Sequence, residues 1–132
     1  MISGVIQILT GDSTLTTALG TYNDEAKVFP VVASETADRP YLTVRRVGGN
    51  PAINKTNVSE VDTIFFQVAC FADRYKTCLD VQERVRTLLD FYTGTSNAID
   101  FKKIWWTGSE DKFDNEDRSY VVIDTYTARY AR

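Results

Sequence analysis

Ile2, Val5, Ile6 and Leu9 recur at intervals of three and four residues, the spacing that places side chains along one face of a helix. Gly11 can end that helix in a left-handed conformation. Asp12 or Ser13 then caps a second short helical turn, with Leu15, Ala18 and Leu19 on its buried side, and Gly20 stops it. Thr21 to Lys27 is polar and reads as a loop. Beyond it the period changes to that of strands. Val28-Phe29-Pro30-Val31-Val32 is a short strand whose Pro30 has no amide hydrogen to donate, so it belongs at a sheet edge or a bend. Pro40 opens the next strand, Tyr41 to Val47, and Gly48-Gly49-Asn50-Pro51 closes it with turn chemistry. From there to Ser59 the chain has little apolar content, and an unstructured loop of about a dozen residues in a compact domain is usually functional.

Val61 to Ala72 gives the strongest strand pattern. Ile64, Phe66, Val68 and Cys70 point to one side, while Phe65, Ala69 and Phe71 share the other with Thr63 and Gln67. Both sides are apolar enough to require cover; the chain's helices can supply one, and a neighbouring subunit is a natural candidate for part of the other. Asp73 is placed to cap a helix from Arg74 to Tyr92. Cys78, Val81, Val85, Leu88, Leu89 and Tyr92 form its apolar stripe, and Gly94 is the expected stop. The last third alternates again, as a hairpin of Ile99 to Trp106 with Ser119 to Ala131. Its connection, Gly108 to Arg118, is rich in acids. It lacks the glycine and the alternating oxygen register of a calcium loop, so it reads as a solvated tip. Trp105 and Trp106 are adjacent and must face opposite ways in a strand, leaving one for the core and one as a candidate interface anchor.

The fold class expected from this pattern is α+β: a mostly antiparallel sheet of about five strands, an N-terminal helical segment and one long amphipathic helix. The order is helix, strand, strand, strand, helix, strand, strand. With 132 residues, the chain is expected to form one domain burying roughly two thirds of its unfolded surface. The longest apolar stretch, Ile64 to Ala72, is too short to cross a bilayer, and the N-terminus lacks the basic region of a secretory signal. A soluble cytosolic protein is the expectation.

Composition changes the chemistry more than the fold. There is no histidine, which removes the commonest general base, the usual partner of a serine or cysteine nucleophile and the most frequent nitrogen ligand of zinc. Carboxylate chemistry remains open, since paired acids can hydrolyse glycosides or hold magnesium without histidine. Cys70 and Cys78 fit neither a metal nor a redox spacing and read as buried free thiols. A net charge of −3, from 15 basic and 18 acidic residues, offers no general attraction to a phosphate backbone. Arg45, Arg46, Arg129 and Arg132 could still form a local basic patch, but no aromatic RNA-binding signature accompanies them. No catalytic, cofactor or metal residue is assigned.

In the order and spacing of its segments the chain resembles the tail completion family of long-tailed bacteriophages, also described as tail terminator or tail-to-head joining proteins. The resemblance runs from the helical segment ending at Leu19-Gly20 through Val28-Phe29-Pro30 and Arg39-Pro40-Tyr41-Leu42-Thr43-Val44. It continues over Phe66-Gln67-Val68-Ala69-Cys70-Phe71-Ala72, the helix start Asp73-Arg74-Tyr75 and the hairpin from Ile99-Asp100-Phe101 to Tyr126. It implies a structural virion protein without catalysis, assembled in the host cytoplasm and located at the head-proximal end of the tail. Such proteins form a ring, usually of six copies, that ends polymerisation of the tail tube protein and meets a head–tail connector or neck protein, with DNA passing through the lumen unread. The alternative within this class is a connector or neck protein of similar architecture. From other classes, a small carboxylate-dependent hydrolase or a nucleic-acid-binding α+β module would need converging acids or measurable affinity at low salt. A ring requires heterologous contacts whose rotation closes. The candidate contact residues are Arg45 and Arg46, Asn50, Asn54 and Lys55 in the loop after them, Trp105 and Trp106, and Glu110, Asp111 and Asp114 at the acidic tip.

Overall fold

Two short helices, α1 (Ile2–Thr10) and α2 (Ser13–Leu19), open the chain in the computed structural model, which describes residues 2–33, 37–53, 58–116 and 118–131, with the backbone alone for 49–53 and 58–61. Asp12 is the cap between them, its Oδ2 accepting the Leu15 amide at 2.9 Å. Gly20 ends α2 at φ 78°, a backbone conformation that glycine adopts without a Cβ penalty. The polar stretch expected to be a loop instead makes a small hairpin of β1 (Thr21–Tyr22) and β2 (Glu25–Ala26). Asn23 and Asp24, at φ 53° and 66°, supply the two positive angles that a tight hairpin turn needs.

β3 (Val28–Pro30) lies at a sheet edge, where Pro30 is tolerated, and runs parallel to β4 (Tyr41–Ile53). β4 pairs antiparallel with β5 (Val58–Ala72) out to Ile53 and Val58. The segment after Gly48, read above as a loop, is therefore mostly a continuation of two strands. Its polar composition hid this, because ladder pairing satisfies the backbone whatever the side chains are.

α3 (Tyr75–Leu89) begins one residue later than expected. Arg74 takes the cap position without a side-chain bond, while Asp73 accepts Arg39 Nε at 2.7 Å. The helix also ends earlier than Tyr92: Asp90 turns extended, Phe91 takes φ 63°, and β6 (Tyr92–Ser96) follows. Gly94, the expected stop, lies inside β6 beside an irregularity in its register. β7 (Ile99–Asp114) and β8 (Ser119–Ala131) form the expected hairpin, but the acidic connection is itself strand, paired as far as Asp114 with Ser119.

The fold is α+β, with a curled mixed sheet of six strands in the order β3-β4-β5-β8-β7-β6, beside the two-stranded hairpin. This corrects the expected five strands by adding β6. On the inner face Leu42, Val44, Phe66, Val68, Cys70, Val122, Tyr126 and Ala128 pack with Val5, Leu9, Leu15 and Leu19 of the first helices and Val81, Val85 and Leu89 of α3. Phe66 stacks on Tyr126 with centroids 5.5 Å apart. Cys70 and Cys78 are free and buried, and the Cys78 thiol donates to the Cys70 and Tyr120 carbonyls at 3.4 and 3.3 Å. Among the described residues no helix packs on the outer face. Its cover is aromatic and partial: Tyr41 stacks on Phe71 at 5.0 Å and meets Phe29 edge-on at 6.0 Å, while Phe65 stays 37% exposed.

Candidate assembly surfaces

The features that remain after the core is accounted for are open strand edges and the side chains beside them. β3 covers the outer edge of β4 only from Leu42 to Val44. The Leu42 amide donates to Lys27 O and the Val44 carbonyl accepts the Val31 amide, both at 2.9 Å. From Arg45 on, β4 has no further strand on that side among the described residues. Arg45 and Arg46 are exposed there, and no ion pair among the described residues engages either. Asn50 follows as backbone in β4, opposite Thr63. Asn54 and Lys55 lie outside the described residues.

At the opposite side of the sheet β6 covers β7 from Ile99 to Ile104. The next amide on that edge, Trp106 N–H, donates to Asp90 Oδ1 at 2.9 Å. Beyond it β7 runs on to Asp114 with β8 on one side and no strand on the other among the described residues. Glu110, Asp111 and Asp114 lie on this stretch. Asp111 accepts the Tyr75 hydroxyl, a bond that raises the tyrosine pKa, and Glu110 sits 3.6 Å from Lys112. Phe113 and Tyr120 meet edge-on at 5.0 Å near the hairpin end, with Tyr75 tilted against Tyr120 at 5.9 Å. The structure thus brings the acids together on one edge and puts the two arginines on the other.

The tryptophans depart from expectation. Trp106 is opposite Tyr126 on the helix-covered side, yet it is 37% exposed, with the Arg86 guanidinium 4.1 Å from its ring centre. Trp105, opposite Thr127 on the outer side, is half-buried with Lys103 Nζ 5.9 Å from its ring. Neither enters the core; Ile104 takes that place. Beneath Trp106, Arg86 reaches the fully buried Asp124 at 3.5 Å. Burial pushes the Asp124 carboxyl up, against the opposing pull of Ser109, Arg86 and Trp106. Tyr126 is raised further by the same burial.

Among the described residues no group of three cysteine or acidic side chains could hold a metal ion. A recess of about 880 Å³ beside the end of β3 is lined by Val31, Val32, Asp38, Arg39, Tyr41, Phe71 and Asp73, with Arg39 paired to Asp73 at 2.7 Å. No helix among the described residues is long and apolar enough to cross a membrane.

The family model described as tail completion protein gp17 matches residues 3–131. The chain belongs to this family. As a tail completion protein it is a structural component of the virion tail. A chain in a solved structure titled "Virion of native gene transfer agent (GTA) particle" shares its fold, with a TM-score of 0.77 at 16% identity, over 100% of this chain and 95% of that one. A second solved structure is similar at a TM-score of 0.60 and 12% identity, over 97% of this chain and 94% of the other. No curated protein sequence matches.

Sequence reasoning missed the open edges. Glycine and acids carry no strand signal of their own, and only the lengths of the partner strands reveal where an edge is bare.

Proposed function

We propose that this tail completion protein acts by binding, as a ring of six copies on the head-proximal end of the tail tube. The ring ends tube polymerisation and offers its other face to the head connector, while DNA passes through the lumen without being read. The observation that carries this reading is the family match over residues 3–131. The geometry is compatible with it, since among the described residues the sheet has bare edges on opposite sides, and a heterologous ring contact joins two different surfaces of the chain. A net charge of −3 suits a lumen that must release DNA.

Electron microscopy of particles made without this protein tests the proposal. Overlong tubes and tails unjoined to heads are expected, with both defects repaired by the added protein. Tails of normal length joined to heads would overturn it, and protein found on tailless heads would reassign it to the neck.

A further inference from the structure

We propose that the bare edge of β7 in one copy adds onto the bare edge of β4 in the next, so that the sheets of neighbouring copies run together around the ring. This deepens the ring reading above and rests on it. The occupant of each edge is a second copy of this chain.

Three observations point to it. First, both edges are long and without a further strand among the described residues, running from Arg45 on β4 and from beyond Trp106 on β7, and unpaired edges of this kind are templates for strand addition. Second, their charges are opposite. Arg45 and Arg46 stand on the β4 edge, while Glu110, Asp111 and Asp114 against Lys112 leave the β7 edge acidic. Charged edges usually repel a second copy, whereas here the two edges of one molecule complement each other and each repels its own kind. That arrangement favours head-to-tail over isologous pairing.

Third, the two bare stretches are offset along the strands. Arg46 stands level with Phe66, Tyr126 and Trp106 across the sheet. The β4 edge is bare upward from that level, and the β7 edge is bare downward from it. β3 and β6 cover the remaining parts, so neither obstructs a neighbour shifted along the strands. Pro51 lacks an amide hydrogen, which confines the β4 contact to about Arg45–Asn50. The centres of the two bare stretches then differ by about four to five residues, roughly 15 Å along the strand. Across the four strands from β4 to β7, about 19 Å wide, this is a tilt near 40°, within the range at which strands close into barrels. β4 and β7 are antiparallel to each other within one copy, and rotation about a ring axis keeps strand direction, so the junction is antiparallel.

The test compares the intact chain with Arg45→Glu/Arg46→Glu, with Glu110→Lys and with all three changes together. Rings are counted by electron microscopy, on tail tubes as well as in free solution, and circular dichroism checks the fold of each variant. Either change alone is expected to lower the ring population about tenfold, and the combination to recover most of it. Hydrogen exchange on the unmodified protein should show amides of 45–50 and 107–114 gaining protection in rings over monomers. Rings that form equally well in every variant, or amides that exchange alike in ring and monomer, would overturn the edge contact and leave the ring reading standing. Failure of the unmodified chain to form rings on tubes or in solution would overturn the ring reading, and this contact with it.

Discussion

Arg84 grips Asp12 with both ends of its guanidinium, Nη2 to Oδ1 at 2.6 Å and Nε to Oδ2 at 2.9 Å. The carboxylate that caps α2 thus also ties it to α3, and a bidentate pair of this kind is the strong form of a surface ion pair. The Arg84 bonds, helped by the Leu15 amide, hold the Asp12 carboxyl at about 2, against an ordinary 3.8. A lowered folded-state pKa contributes stability that is present above the unfolded value and lost as pH falls. The unmodified protein should therefore melt above Arg84→Ala at pH 7, with the gap in Tm closing between about pH 4 and pH 2. Thermal melts across that range check it, and a gap independent of pH would refute the assignment.

Arg86 and Asp124 have the opposite sign. Burial raises the Asp124 carboxyl, so its charged form costs stability at neutral pH and protonation relieves that cost. Arg86→Met removes the partner of a buried carboxylate and uncovers Trp106, with an expected loss of about 1–3 kcal/mol at pH 7. Urea unfolding should find this loss smaller at mildly acid pH. Asp124→Asn should be milder at pH 7, because the buried charge goes with the partner's role.

Gly4 of α1 packs against the β6–β7 turn region. A Cβ there would lie 2.9 Å from the Phe101 ring and 3.0 Å from the Ser96 carbonyl. The backbone oxygen cannot swing aside as a side chain can. Gly4→Ala should cost about 1–3 kcal/mol despite alanine's better helix propensity, as measured by the denaturation midpoint.

Cys70 and Cys78 are both buried, and the neighbouring Cys78 thiol together with burial raises the Cys70 thiol. Neither should react with a thiol dye in the native state, while both should react in denaturant. Rapid native labelling would contradict the packing beneath α3.

The periodic elements were legible from the residues alone. The apolar stripe of α3, the two-faced strand through Phe66, the edge position of Pro30 and the burial of both thiols follow from short-range pattern and covalent chemistry. What was illegible depends on partners far away in sequence. Gly108 to Asp114 becomes a strand because Ser119 to Thr125 stands beside it, and residues 48–53 because β5 does. Trp106 serves as a platform for Arg86, a contact set by the crossing of α3 over the sheet, which no local pattern reveals. The candidate residues were thus named by type alone, and their placement on two opposed edges needed the register.

The Ser96 hydroxyl, bonded to the Gly4 carbonyl at 2.7 Å, carries a consequence for folding. Helix α1 finds part of its seat on a strand and a ring, Phe101, that lie more than ninety residues further along the chain. That part of its seat is complete only when the distant β6–β7 segment has folded against it, and closing so long a loop slows folding. A subunit in which the β6–β7 segment is misplaced would leave part of the apolar face of α1 uncovered, the kind of surface that promotes misassembly.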